Sequence, residues 1–265
     1  MSVVEIERDG EVAVLRLNRP EKLNAISSHV ERVLHEALES DIVRTSGAVI
    51  VTGEGRAFSA GADISEFEGR SPEEVLRYYH DTGGVYEELG ALPQPTIAAI
   101  HGYCLGGALE LALALDFRIA DETAVFGFPE VSLGILASSG GLHRVTRLLG
   151  AARAKELFLL SERFGADDAR RAGVVTEVVE EGKAPDRALE IAARLAALPR
   201  DAVAVTKQAI DAVDTAPRDA VAVTKQAIDA ASNSPRDAAL LIERLAYAAL
   251  AQTQAARDAA AGFGS

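Results

Sequence analysis

"QPTIAAIHGYCLGGALELALALDFRIA", residues 94–120, reads as a strand, a glycine loop, a buried helix and a second strand. The short apolar runs before His101 and after Asp116 suit buried strands. Between them, residues 108–115 carry no polar side chain except Glu110, so this helix has no solvated face. Strand, loop and helix recur through roughly the first 150 residues, which points to an α/β layered fold.

Outward from that stretch, "VVEIERDGEVAVLRLNRP" (3–20) alternates apolar and polar residues around Arg8-Asp9-Gly10 and predicts a hairpin. "SSHVERVLHEALES" (27–40) sets Val30, Val33, Leu34, Ala37 and Leu38 on one helical face, with Ser27 or Ser28 as N-cap. "GAVIVTGEG" (47–55) is a buried strand that runs into the loop "GRAFSAGADISEF" (55–67). "SPEEVLRYYHDTGGVYEELGAL" (71–92) predicts helix, with Ser71 as cap and Pro72 in the first turn. "GLHRVTRLLG" and "AARAKELFLL" read as consecutive helices broken at Gly150, and from about residue 186 the pattern is only helical.

That tail contains a repeat. "PRDAVAVTKQAIDA" stands at 199–212 and again, identical, at 217–230; "PRDA" returns at 235–238. The 18-residue offset is about five turns of α-helix, so a second copy keeps its face. The identity of the copies indicates a recent duplication rather than a solenoid, which needs more and larger units. The expected organisation is a ligand-binding core, 1–198, and a C-terminal helical region, 199–265.

Among 265 residues, 48% are hydrophobic and 25% charged, as in ordinary globular proteins. Forty acidic residues against 27 basic ones give a net charge of −13, which argues against nucleic acid or an anionic membrane surface as partner. An anionic small ligand stays open, because it needs only a local basic rim and some backbone N–H donors. The longest apolar run, around 105–115, is too short for a bilayer and contains Glu110, and the N-terminus is strand-like rather than a signal peptide. A single cysteine, Cys104, permits no intrachain disulfide and fits a reducing cytoplasm; it reads as a small packing residue. The five histidines show no metal-ligand spacing, and neither a Gly-x-Ser-x-Gly elbow nor a phosphate-binding Gly-Lys-Ser/Thr loop is present.

The candidate chemistry is carried by two carboxylates and two glycine-containing loops. A buried, unpaired Glu110 has a raised pKa; the alternatives are a gap to solvent or an arginine partner. Gly106 and Gly107 precede it at a helix start, where free N–H groups favour negative charge. "FSAGADI" (58–64) is a second loop of small residues, and two such loops can each supply one N–H to the same oxygen. Glu130, in "GFPEVSLG" (127–134), stands among apolar residues; it reads either as a second acid–base group or as an acidic residue in a helix's first turn.

These residues resemble the crotonase superfamily, the enoyl-CoA hydratase/isomerase family. The resemblance runs through "LNRPEKLNAI" (17–26), "GRAFSAGADISEF" (55–67), residues 93–120, "FGFPEVSLGI" (126–135), "GGLHRVTRLLG" (140–150) and "DARRAGVVTEVV" (168–179). It implies a spiral of ββα turns around two roughly perpendicular sheets, followed by helices that build trimers, often paired into hexamers. It implies an acyl-CoA substrate, with CoA as part of the substrate and no cofactor or metal. Ala62 and Gly107 match the N–H donors of the oxyanion hole. Lys22, Leu23 and Ala25 match a loop near the CoA nucleotide, and Ala60, Asp63, Ile64 and Gly106 fall along the ligand. Glu110 and Glu130 occupy both acid positions of a hydratase. The implied reaction is syn hydration of a trans-2-enoyl-CoA in fatty-acid or related acyl-CoA degradation, in the cytoplasm. Enoyl-CoA isomerisation, hydration of a branched or cyclic enoyl-CoA, and an inactive acyl-CoA-binding subunit are the other readings. The sequence departs from the family at "ASSGGLHR" (137–144), where Pro-Gly-x-Gly-Gly-Thr-Gln-Arg is usual, and its end, "AAGFGS", lacks the usual basic cluster.

Overall fold

A computed structural model describes residues 2–66, 69, 71, 73–74, 78 and 84–215, with backbone alone over 212–215. The chain divides into two compact units, Met1–Leu198 and Pro199–Ser265.

In the first unit, β1 (Val4–Asp9) and β2 (Val12–Leu17) form the hairpin, closed by Gly10 and Glu11 with Gly10 at φ +56°. Then come α1 (Ser28–Leu38), capped by the Ser27 hydroxyl, and a short α2 (Asp41–Arg44). The strands that follow run in pairs. β3 (Ala48–Gly53) leads to β4 (Ala57–Ser59), β5 (Thr96–Ile100) to β6 (Tyr103–Leu105), and β7 (Phe117–Asp121) to β8 (Val125–Gly127). The first member of each pair joins a six-stranded sheet, β1-β2-β3-β5-β7-β10, and the second a four-stranded sheet, β4-β6-β8-β9. Here β9 is Phe164–Gly165 and β10 is Glu177–Val179. Like-numbered turns stack in parallel, so the chain winds as a ββα spiral.

The helices of the spiral are α3 (Val85–Ala91), α4 (Gly107–Ala114), α5 (Gly141–Leu160), α6 (Ala166–Ala172) and α7 (Ala184–Ala196). Both faces of the larger sheet are covered, which is why its strands read as continuous apolar runs. On one face Leu15, Val49, Val51, Ala98 and Ile100 join α1, α3 and α4 in the main core. On the other, Val12, Ile50, Ile97 and Ile119 pack on Ala184, Ala188 and Ala192, a stripe of small residues four apart that seats α7 close to the sheet.

The sequence reading differs from the structure at β4 and β6, which it takes as loops. Each has three residues, too few for a period-two signal, and Gly102 (φ +54°) separates β6 from β5. The expected break at Gly150 is present: φ 78°, ψ 160° interrupts α5 with a conformation reserved for glycine. Of the helix expected over 71–92, the described part is α3 and a capping exchange: Ser71 N donates to Glu74 and Glu74 N to the Ser71 hydroxyl. The second unit contains α8 (Arg200–Thr215), which holds the first repeat copy after Pro199; the second copy, the third "PRDA" and the chain end lie outside the described residues.

Candidate active site

Each expected donor sits where a strand of the smaller sheet ends. β4 runs into Ala60-Gly61-Ala62, and β6 into Gly106 and the first turn of α4. Gly61 approaches so closely that a Cβ on it would lie 2.6 Å from the Leu105 carbonyl oxygen. A Cβ on Gly107 would stand 3.4 Å from Ala62 N and 3.6 Å from the Tyr86 hydroxyl. The two N–H groups therefore neighbour each other. Gly107 opens α4, so its N–H has no intrahelical acceptor. Ala62 pairs with Ile26 through its flanking residues: Ile26 N donates to Gly61 O and Asp63 N to Ile26 O, both at 2.8 Å. Among the described residues neither Ala62 N–H nor Gly107 N–H donates to an acceptor.

Glu110 lies one turn into α4 and is 2% exposed. Its Oε1 accepts from Ser139 N at 2.9 Å and Gly141 N at 2.8 Å. This is neither the gap to solvent nor the arginine ion pair left open by the sequence. Burial raises its pKa, while the backbone N–H groups of Gly141 and Ser139 and the nearby Arg144 guanidinium pull it down. Arg144 in turn donates to the Ser139 carbonyl at 3.1 Å and pairs with Glu87 of α3 at 2.6 Å, bracing the turn that holds Glu110.

Glu130 follows β8 and Pro129 and is 7% exposed. A Cβ on Gly106 would come within 2.7 Å of its Oε1, so glycine is needed there for contact as well as for φ +52°. Its Oε2 is buried without a hydrogen-bond partner among the described residues. Burial pushes its carboxyl up to about 7, and the charge of Glu110 adds to the shift. The two acids thus have different environments: the N–H groups of Ser139 and Gly141 hold Glu110, whereas one oxygen of Glu130 has no partner among the described residues.

The loop with Lys22, Leu23 and Ala25 is stitched to the Ala62 loop. Ala60 N donates to Leu23 O at 2.9 Å, and the Ser59 hydroxyl to Asn24 O at 2.8 Å. Asn24 is buried at φ 55°; its amide donates to the Glu54 and Ala57 carbonyls, and its side-chain oxygen accepts from Arg19 N. Lys22 is exposed, Leu23, Ala25 and Ala60 half-buried. Ile64 is exposed beside them, whereas the Asp63 carboxylate is taken up by Arg19 and Ser65. Cys104 is fully buried in the main core, and burial raises its thiol pKa.

The fold brings together the two acids and two N–H donors that the sequence reading named; Ser139, Gly141, Asn24 and Arg19, which hold them in place, were not among the site residues it named. The Gly140-Gly141 pair at the start of α5 is the one local signal for the Glu110 cradle. The contacts of Asn24 with Glu54 and Ala57, and of Arg19 with Asp63, span 30 to 44 residues and leave no periodic trace.

Comparison with known proteins gives the family. Residues 7–233 match the family model of enoyl-CoA hydratase/isomerase. A short-chain-enoyl-CoA hydratase of Clostridium acetobutylicum is 39% identical over 214 residues, 78% of this chain and 80% of that protein. A probable enoyl-CoA hydratase of Rhizobium meliloti is 39% identical over 207 residues, with the same coverage. Among solved structures, an enoyl-CoA hydratase from Bacillus anthracis superposes with a TM-score of 0.75 at 32% identity, over 99% of this chain and 96% of that one. With the spiral, the paired donors and a family match over most of its length, the chain belongs to the enoyl-CoA hydratase/isomerase family of the crotonase superfamily.

Proposed function

We propose that this protein is an enoyl-CoA hydratase, a hydro-lyase that adds water syn across the 2,3 double bond of a trans-2-enoyl-CoA to give a 3-hydroxyacyl-CoA. The observation that carries this reading is two backbone N–H groups, Ala62 and Gly107, that have no acceptor among the described residues and lie beside two buried carboxylates. The thioester oxygen takes both N–H bonds, and as charge moves onto it they strengthen; one such donor is typically worth ~2.7–4 kcal/mol of barrier. Glu110, ionised, accepts a proton from water as the water oxygen bonds to Cβ. The π electrons move toward Cα and the thioester oxygen. Glu130, whose pKa of about 7 keeps a proton available near neutrality, protonates Cα. The two acids end with their protonation states exchanged, and proton transfer with solvent resets them.

In this reading Lys22, Leu23 and Ala25 contact the CoA nucleotide, while Ala60, Ile64 and Gly106 line the thioester and acyl group. The stitching of the two loops supports it, since binding at one end is then mechanically tied to the other. The chemistry is acid–base and electrostatic and uses no cofactor. Homotrimers or hexamers are the proposed assembly, the cytoplasm the proposed compartment, and acyl-CoA degradation, including β-oxidation, the proposed setting. No described helix is long and apolar enough to cross a membrane.

The test is incubation with crotonyl-CoA, following loss of enoyl absorbance and identifying the product. Formation of 3-hydroxybutyryl-CoA is expected. Tight binding without turnover of short, long, branched or aromatic enoyl-CoAs, or double-bond migration without hydration, contradicts the proposal.

A further inference from the structure

Arg19 and Asp63 touch neither acid, yet they bracket one donor. Arg19 Nη1 and Nη2 each lie 3.2 Å from Asp63 Oδ2, and Nη1 also donates to the Ala25 carbonyl at 2.7 Å. The other Asp63 oxygen accepts from the Ser65 hydroxyl at 2.6 Å. Asp63 directly follows Ala62, and its N–H is held by Ile26 O. On the preceding side, Gly61 donates to the Ser59 hydroxyl at 3.1 Å and accepts from Ile26 N at 2.8 Å. Ala62 is exposed, and its N–H makes no bond among the described residues, but it shares a planar peptide unit with Gly61 O, which accepts from Ile26 N; Ile26 N in turn shares one with Ala25 O, the carbonyl that Arg19 holds, while Asp63 fixes the peptide that follows. Ile26 and Ser59 hold through the backbone or a short hydroxyl. The ion pair is the only charged tie among the described contacts of this loop with residues 19–26.

Both charged side chains are mostly covered, and the guanidinium fork meets the carboxylate and a carbonyl at once. That arrangement fixes direction as well as distance. The Ser65 hydroxyl and the Arg19 guanidinium also keep the Asp63 carboxyl below its usual pKa, so the pair stays charged across the working pH range.

We propose that Arg19, acting through Asp63, is a positioning residue that aims the Ala62 N–H at the ligand's thioester oxygen, and that it ties this aim to the loop carrying Lys22 and Ala25. The identity of that acceptor rests on the hydratase reading. The pair acts on a bond that tightens as charge develops, so its loss lowers kcat more than it raises KM.

The experiment binds butyryl-CoA, isotope-labelled at the thioester carbonyl, to the full-length protein and records the carbonyl stretch by infrared difference spectroscopy. The wild type is expected to shift the band to lower wavenumber relative to free ligand. Asp63→Asn and Arg19→Gln are each expected to lose part of that shift, and the double variant no more than the worse single one. Arg19→Lys, which keeps the charge but not the fork, gives a smaller loss; it decides the matter should the neutral variants not fold. With crotonyl-CoA the single variants are expected to lose about tenfold or more in kcat, with KM changed by less than about threefold. An unchanged carbonyl shift in the variants, or no shift in the wild type, overturns the proposal. Because the infrared readout needs no turnover, a wild type that polarises butyryl-CoA but hydrates nothing removes the hydratase reading while the variants still decide this one.

Discussion

Glu130 keeps one carboxylate oxygen buried and unpartnered among the described residues, a costly state for a charged group. Two consequences belong to this residue. If it must carry a proton to deliver it to Cα, kcat/KM for hydration falls as pH rises through about 7. On the acid side the rate falls as Glu110 gains the proton that stops it acting as base, so the profile is bell-shaped. A rate still rising well above that pH contradicts the assignment of Glu130 as proton donor. The same shift appears in stability. The folded chain keeps this proton up to about pH 7, whereas the ordinary value is 4.5, so the carboxyl's contribution to stability falls as pH rises through that window. Glu130→Gln therefore stabilises the fold relative to wild type above neutrality, by up to about 3 kcal/mol, and raises the melting temperature there; the gap closes toward pH 4. Equal melting temperatures at all pH values count against the shift. From the sequence, Glu110 and Glu130 stood out as acids in apolar surroundings. Separate roles for them came only through the resemblance; their different environments were not legible, because those depend on Ser139 and Gly141, which reach Glu110 only through the fold.

At the scale of elements, α4 and the turn before α5 form one device. α4 presents Gly107 N–H at its start and Glu110 a turn later, and the α5 turn holds Glu110 from behind. A Cβ on Gly141 would lie 2.7 Å from Glu110 Cγ and 2.8 Å from its Oε1. Gly141→Ala thus displaces the acid, and a shift of about 1 Å in a catalytic group costs on the order of a hundredfold in kcat. Steady-state kinetics on a variant whose circular dichroism matches wild type reads this; an unaltered kcat means that the cradle does not set the geometry. Gly150 is the contrasting case. Among the described residues no atom stands within 4 Å of its missing Cβ, but its φ/ψ belongs to glycine alone. Gly150→Ala is expected to cost about 1–3 kcal/mol of stability with little change in kcat. The helices and the longer strands were legible because their periods are long enough to read. β4 and β6 were not, since a three-residue strand shows no alternation, and they are the strands that deliver both donors.

For the whole molecule, the pairing of successive strands across two sheets places the loops after β4, β6 and β8 at one site, although they are far apart in sequence. The order of motifs made that spiral legible by resemblance; no single motif did. Exposed apolar residues on α5, Leu148, Leu159 and Leu160, are consistent with the proposed self-association. Sedimentation is expected to give three or six times the 27.9 kDa chain mass, and a stable monomer at micromolar concentration contradicts that assembly. The claim on which the account turns is that Glu110 and Glu130 together add water to an enoyl thioester. Its most direct test is the initial rate of crotonyl-CoA hydration by wild type, Glu110→Gln and Glu130→Gln at neutral pH. The account predicts turnover by the wild type and a loss of ~10²–10⁴-fold in each variant; full activity in both variants would contradict it.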